Sequence, residues 1–124
     1  MTTLLEMERI TVSGSPRALG QQQGEALRRK IQAFLDVRFS AVREYAVERG
    51  ATADGLLEIG KQSMGMFSRW DPDGYDEHLG IAEGANIDPV NLYTATNMTD
   101  MRDALLLSRG VPSGPADPEG CSAI

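Results

Sequence analysis

Apolar residues recur along this chain at steps of three and four, and each run opens on a capping signal. Leu27, Ile31, Phe34, Leu35, Val42 and Tyr45 make one such stripe, the spacing of an amphipathic helix. Arg28, Arg29, Lys30, Arg38, Arg43 and Glu44 fall mostly off it. Ser15 ahead of Pro16 predicts the start, because a serine hydroxyl accepts an early backbone N–H and proline loses nothing at the first helical position. Gly50 predicts the end. Gly20 and Gly24 run against helix propensity, each costing about 1 kcal/mol relative to alanine. Four apart, they share a face, and that bare face predicts the close approach of another element.

Thr52 or Asp54 opens a second predicted helix, which runs to about Arg69 and buries Leu56, Leu57, Ile59, Met64, Met66 and Phe67. Asp71-Pro72 repeats the cap-plus-proline device, with Trp70 and Tyr75 placed as a hydrophobic staple. The helix it opens carries Leu79, Ile81 and Ala82 and ends near Gly84-Ala85-Asn86. Asp88-Pro89 opens a fourth, with Ile87 and Leu92 as its staple. That helix includes Leu92, Tyr93 and Ala95, and its spacing allows a continuation, whole or broken, through Met101 to Leu106.

Two stretches depart from helical spacing. Met7 to Val12 alternates and is rich in Ile, Thr and Val, which predicts a short edge strand. Residues 108–120 hold glycines and prolines without periodicity and read as a flexible connector. Cys121-Ser122-Ala123-Ile124 reads as the start of a further strand. The expected division is a mainly helical segment over 1–107, a linker over 108–120 and a nucleophile-bearing strand from 121. An apolar-leaning end of this kind suggests the N-terminal part of a longer protein.

Composition narrows the class. A 41% hydrophobic and 24% charged chain of 124 residues is an ordinary globular domain, neither disordered nor fibrous. Its net charge of −6, with no basic face, argues against nucleic acid or an anionic membrane as partner. No basic leader or long apolar run marks a signal peptide or a membrane span. The expectation is a soluble cytoplasmic protein.

The only cysteine, Cys121, follows a glycine. Gly120 lets the thiol reach the preceding carbonyl and tolerates strained dihedrals. Ser122 and Ala123 are small and leave room for a substrate. Cleavage of the Gly120–Cys121 bond would put a thiol and a free amine on one residue. An α-amine has a reference pKa of ~7.7–8.0, so part of it is neutral near pH 7 and can take the thiol proton. This is the N-terminal-amine form of an activated nucleophile, and it needs no cofactor.

Other candidates carry blander readings. His78, the only histidine, reads as a solvated helix residue, with a Cys121–His78 dyad as the alternative. One histidine and one cysteine offer no ligand set at metal spacing. Asp100, Arg102 and Asp103 read as a surface ion-pair network, with Asn97 and Arg102 as candidate positioning groups for cleavage. Met64, Met66, Met98 and Met101 read as core. A small helical binding module with an incidental cysteine is the rival class. A thiol redox protein would lack a resolving cysteine.

Three segments in order carry a resemblance. Gly14-Ser15-Pro16-Arg17-Ala18-Leu19-Gly20-Gln21-Gln22-Gln23-Gly24 resembles the opening G-[ST]-P-x-x-x-G-x-x-x-G segment of the acyl-coenzyme A:6-aminopenicillanic acid acyltransferase (isopenicillin-N acyltransferase) family. Glu83-Gly84-Ala85-Asn86-Ile87-Asp88 is similar to its E-G-[AS] segment ahead of a helix, and Gly120-Cys121-Ser122 to its self-cleavage junction. The resemblance runs from about residue 7 to the end. It implies an α+β, four-layer αββα N-terminal-nucleophile hydrolase fold, of which this is the mainly helical N-terminal part. It further implies self-cleavage before Cys121, then hydrolysis or transfer of acyl groups at non-peptide amides and acyl-CoA-type thioesters. Oxyanion-hole residues would lie beyond Ile124, in a β-rich C-terminal portion without which the helices are inactive and expose an apolar stripe. Many members carry Asn-x-Arg where this chain has Asn97-Met98-Thr99.

Overall fold

The structure is a computed structural model that describes residues 7–48 and 50–108. Six helices follow one another: α1 (Pro16–Ala26), α2 (Arg28–Glu48), α3 (Ala53–Trp70), α4 (Pro72–Ala85), α5 (Pro89–Thr96) and α6 (Met98–Ser108). There is no strand among the described residues, so the expected α+β architecture is replaced there by an all-helical domain. The predicted strand over 7–12 is the clearest correction. Its β-branched residues fit a pleated surface only where a second strand offers a ladder, and among the described residues none does. The segment is instead tied to helices: Ser13 N–H donates to Gln22 Oε1 at 3.2 Å, and Glu8 pairs with Lys30. The strand expected at Cys121 and the 109–120 part of the connector lie outside the described residues.

The caps form as the sequence predicts. Ser15 Oγ accepts from Ala18 N at 3.3 Å, and Asp71 Oδ1 accepts from Gly74 N at 3.0 Å. Asp88 Oδ1 accepts from Val90 N at 2.7 Å and Asn91 N at 3.2 Å. Of the two candidates for α3, Thr52 is the cap, with Gly55 N donating to its Oγ1 at 3.0 Å. After α2, Gly50 takes φ +72°, while Gly50 N donates to Val47 O and Ala51 N to Ala46 O. That crossed pair of bonds is the Schellman closure that a left-handed residue permits. Asn86 closes α4 the same way at φ 56°, with Asn86 N on Glu83 O and Ile87 N on Ala82 O.

Two predicted helices are each divided. Leu27 has φ −111° and ψ 16°, yet hydrogen bonds run on through it, from Leu27 N to Gln23 O and from Ile31 N to Leu27 O. Asn97 divides α5 from α6 at φ −114° and ψ 27°. There Thr96 Oγ1 donates to Leu92 O at 3.0 Å and Asn97 Nδ2 to Tyr93 O at 2.9 Å. Side chains that return to the preceding turn in this way compete with the backbone ladder and bend helices.

The core lies between α2, α3, α5 and α6. Leu35, Val42, Ala46, Ala51, Leu56, Ala95, Met98, Met101 and Leu105 are buried together, with Phe39, Tyr45, Ile59, Ile87 and Tyr93 packed around them. Met64 is buried too, but Met66 is 59% exposed, so the methionine set is core with one exception. Trp70 is 84% exposed and makes no staple; Phe67 instead meets Tyr75 edge-on, at 6.0 Å between centroids.

Candidate functional site: the motif interface and the groove beside it

α1 and α4 meet through glycine. A Cβ built on Gly20 would lie 2.8 Å from Ile81 N, and one on Gly24 would lie 2.7 Å from Ala85 N. From the other side, a Cβ on Gly80 would lie 2.9 Å from Gln21 N, and one on Gly84 2.8 Å from Glu25 N. Each of the four would come closer still to a carbonyl oxygen of the facing helix. Backbone therefore sits on backbone, at a separation that no side chain larger than hydrogen allows. The expected close approach at Gly20 and Gly24 is realised. Its partner, Gly80-x-x-x-Gly84, carries the same four-residue spacing, which is the signal that identifies it.

A polar frame surrounds that contact. Arg17 Nε donates to Asp76 Oδ1 at 2.9 Å, and the same guanidinium pairs with Glu83. Gln21 Nε2 donates to Glu83 Oε2 at 2.8 Å, and Gln23 Nε2 to Glu77 Oε1 at 2.6 Å. The last carbonyls of α4 have no partner within their own helix. Two of them accept from the start of α2: Arg28 Nε donates to Gly84 O at 3.0 Å, and Gln32 Nε2 to Ala85 O at 2.8 Å. The segments around Gly14–Gly24 and Glu83–Asp88, which are far apart in the chain, thus form one interface.

Beside it runs a groove of about 340 Å³. Leu27, Ile31, Phe34, Ile81 and Leu92 give it apolar walls, and Gln23, Lys30, His78 and Thr96 complete the lining. His78 is not the solvated residue that its polar neighbours suggest. Its ring meets Phe67 and Tyr93 edge-on, and its Nε2 lies 2.8 Å from Pro89 O. A carbonyl only accepts, so Nε2 carries the proton. Burial lowers the His78 pKa from its usual 6.5, against a smaller upward pull from the Pro89 carbonyl. Burial, with a contribution from Asp100, raises the Tyr93 phenol above its ordinary 10.0.

The remaining predicted residues are placed as follows. Asn97 ends α5, half-buried, with its amide on Tyr93 O and, at 3.2 Å, on Thr96 Oγ1. Those bonds make it a helix-ending residue in this domain. Arg102 lies in α6, its side chain outside the described set. Gly120 and Cys121 lie outside the described residues, so the pairing of Cys121 with His78, Asn97 or Arg102 is not part of the described geometry. Among the described residues no three His, Cys, Asp or Glu side chains are grouped to hold a metal ion. No helix among them is long and apolar enough to cross a membrane. Compared with known proteins, the chain matches no family model, and no curated protein matches it.

Proposed function

We propose that this chain is the N-terminal helical part of a self-processing, cysteine-nucleophile acyltransferase or amidohydrolase acting on non-peptide amides or acyl thioesters in the cytoplasm. The observation that carries the reading is the α1–α4 interface. Two of the three segments that carry the resemblance meet there, glycine against backbone, with Glu83 held by Arg17 and Gln21. Motifs matched by chance have no reason to meet in space.

In this reading the Cys121 thiol adds to the Gly120 carbonyl carbon and the Gly120–Cys121 C–N bond breaks. The nitrogen keeps the bonding electrons and takes the proton, which leaves a thioester between Gly120 and Cys121. Water then cleaves the thioester, releasing a Gly120 carboxylate and restoring the thiol. The new α-amine afterwards serves as base when the thiol attacks an acyl donor and forms a thioester acyl-enzyme. Val47 and Met66 are 69% and 59% exposed, in keeping with a further part of the polypeptide covering them.

The test is intact-mass spectrometry of the protein expressed with whatever its gene encodes after Ile124. Two pieces divided before Cys121, and one undivided chain for Cys121→Ala, are the expected result. An undivided wild-type chain favours the helical interaction module instead.

A further inference from the structure

The face of α2 turned away from the buried Leu35, Val42 and Ala46 holds Lys30, Ala33, Val37, Ala41 and Glu44. Their spacing of three, four, four and three keeps all five on one helical ridge. All five are exposed, Val37 at 69%. The spacing is the same read from either end, with Val37 at its centre. Alanine stands four positions away in each direction. At seven positions the two directions differ in sign, with Lys30 toward the start of the helix and Glu44 toward its end. Phe34, 42% exposed, flanks the ridge.

We infer that a second copy of this chain docks on the ridge, its α2 antiparallel to the first, with a two-fold axis at Val37. A two-fold contact sets one patch against itself, so the patch must be self-complementary. Reversal about Val37 brings each residue level with the one equally far on the other side. Val37 meets Val37 of the second copy, Ala33 meets its Ala41, and Lys30 meets its Glu44, at both ends alike. The alanines let the helices approach, and Phe34 falls beside the second copy's Ala41, where a small side chain leaves room for the ring. Arg29 precedes Lys30, so each Glu44 faces two cations. Lys30 also pairs with Glu8, and an ammonium has three N–H donors with which to serve both carboxylates. A parallel pair would set Lys30 on Lys30 and Glu44 on Glu44, which like-charge repulsion opposes. One helix pair lies at the small end of protein interfaces, so the dimer is expected to dissociate with a constant on the order of 10 μM.

Engineered cysteines test this in the 124-residue chain, in a Cys121→Ser background. Only a residue on the axis meets its own copy. Under mild oxidation, Val37→Cys is expected to form an interchain disulfide at least tenfold faster than Val47→Cys, which is equally exposed, at 69%, on the same helix. Equal rates overturn the inference. In a mixture of Ala33→Cys and Ala41→Cys chains, the mixed disulfide is expected to outnumber the two self-linked products together. A statistical ratio, or an excess of self-linked product, overturns the antiparallel register. Sedimentation equilibrium offers a reading without added cysteines. Val37→Glu, with native helicity by circular dichroism, is expected to dissociate at least tenfold more readily than the native chain. A native chain that stays monomeric well above the expected constant, or a Val37→Glu dimer as tight as the native one, overturns the docking.

Discussion

The molecule holds its helices together in two different ways. Between α2, α3, α5 and α6, side chains such as Leu35, Leu56, Met101 and Leu105 interdigitate, and the stabilising quantity is apolar area removed from water. Between α1 and α4 the contact is main chain against main chain at Gly20, Gly24, Gly80 and Gly84. Glycine lets two backbones touch, and the specificity lies in the polar frame of Arg17, Gln21, Gln23, Asp76, Glu77 and Glu83. The first arrangement tolerates shape errors, because neighbouring side chains can shift. The second does not, because the atoms in the way belong to the main chain.

The largest expected loss comes from one methyl group at the α1–α4 contact. Gly24→Ala places a Cβ against the Ala85 amide and the Gly84 Cα. It is expected to cost about 4 kcal/mol, the size reserved for overpacking that cannot relax. Urea denaturation reads this directly, and a loss under about 1 kcal/mol would show that the backbones can move apart. In the other region Leu56→Ala, at a position 1% exposed, is expected to lose about 3 kcal/mol through transfer and cavity terms. The same titration checks it, and the unfolding slope should stay unchanged.

His78 gives a smaller, pH-dependent effect. Its folded pKa lies below the usual 6.5, so below about pH 6.5 the unfolded chain takes up a proton that the folded chain resists. Stability from this group is therefore complete above that pH and is lost as pH falls toward the folded value. Glutamine can keep a donor to Pro89 O without titrating. The difference in urea midpoint between His78→Gln and the native chain should shift in favour of the variant from pH 7.5 to pH 5. A difference that does not vary with pH would assign His78 no such role.

The smallest expected effect has the opposite sign. Gly65 lies in α3, and a Cβ there meets nothing within 4 Å. Gly65→Ala is expected to stabilise by about 0.5–1 kcal/mol through helix propensity alone. Thermal unfolding checks it. A loss of stability would mean that this glycine, too, is in a close contact.

Local chemistry was the legible part of the sequence. Ser15, Thr52, Asp71 and Asp88 announce helix starts because a cap acts within three residues, and Gly50 announces an end for the same reason. The break at Leu27 was less legible, because apolar spacing continues through it, and the position of the one at Asn97 was not marked either; backbone hydrogen bonds run on through both. The strand over 7–12 failed because extended propensity needs a partner that propensity does not provide. Trp70 and Met66 failed because spacing assigns a face without saying what covers it. The burial of His78 against Phe67, Tyr93 and Pro89 O depends on three helices meeting. For the site, half of the α1–α4 contact was visible in Gly20 and Gly24. The other half, Gly80 and Gly84, carried the same spacing inside a run that also reads as an ordinary helix.

In the proposed function, Cys121 comes to hold a thiol and a free amine together. Only an amino-terminal cysteine condenses with an aldehyde to give a stable thiazolidine. The protein expressed with whatever its gene encodes after Ile124 should yield that adduct, mapped by peptide mass spectrometry to a fragment beginning Cys121-Ser122-Ala123-Ile124. Recovery of Cys121 only inside a peptide that still contains Gly120, with no adduct, would contradict it.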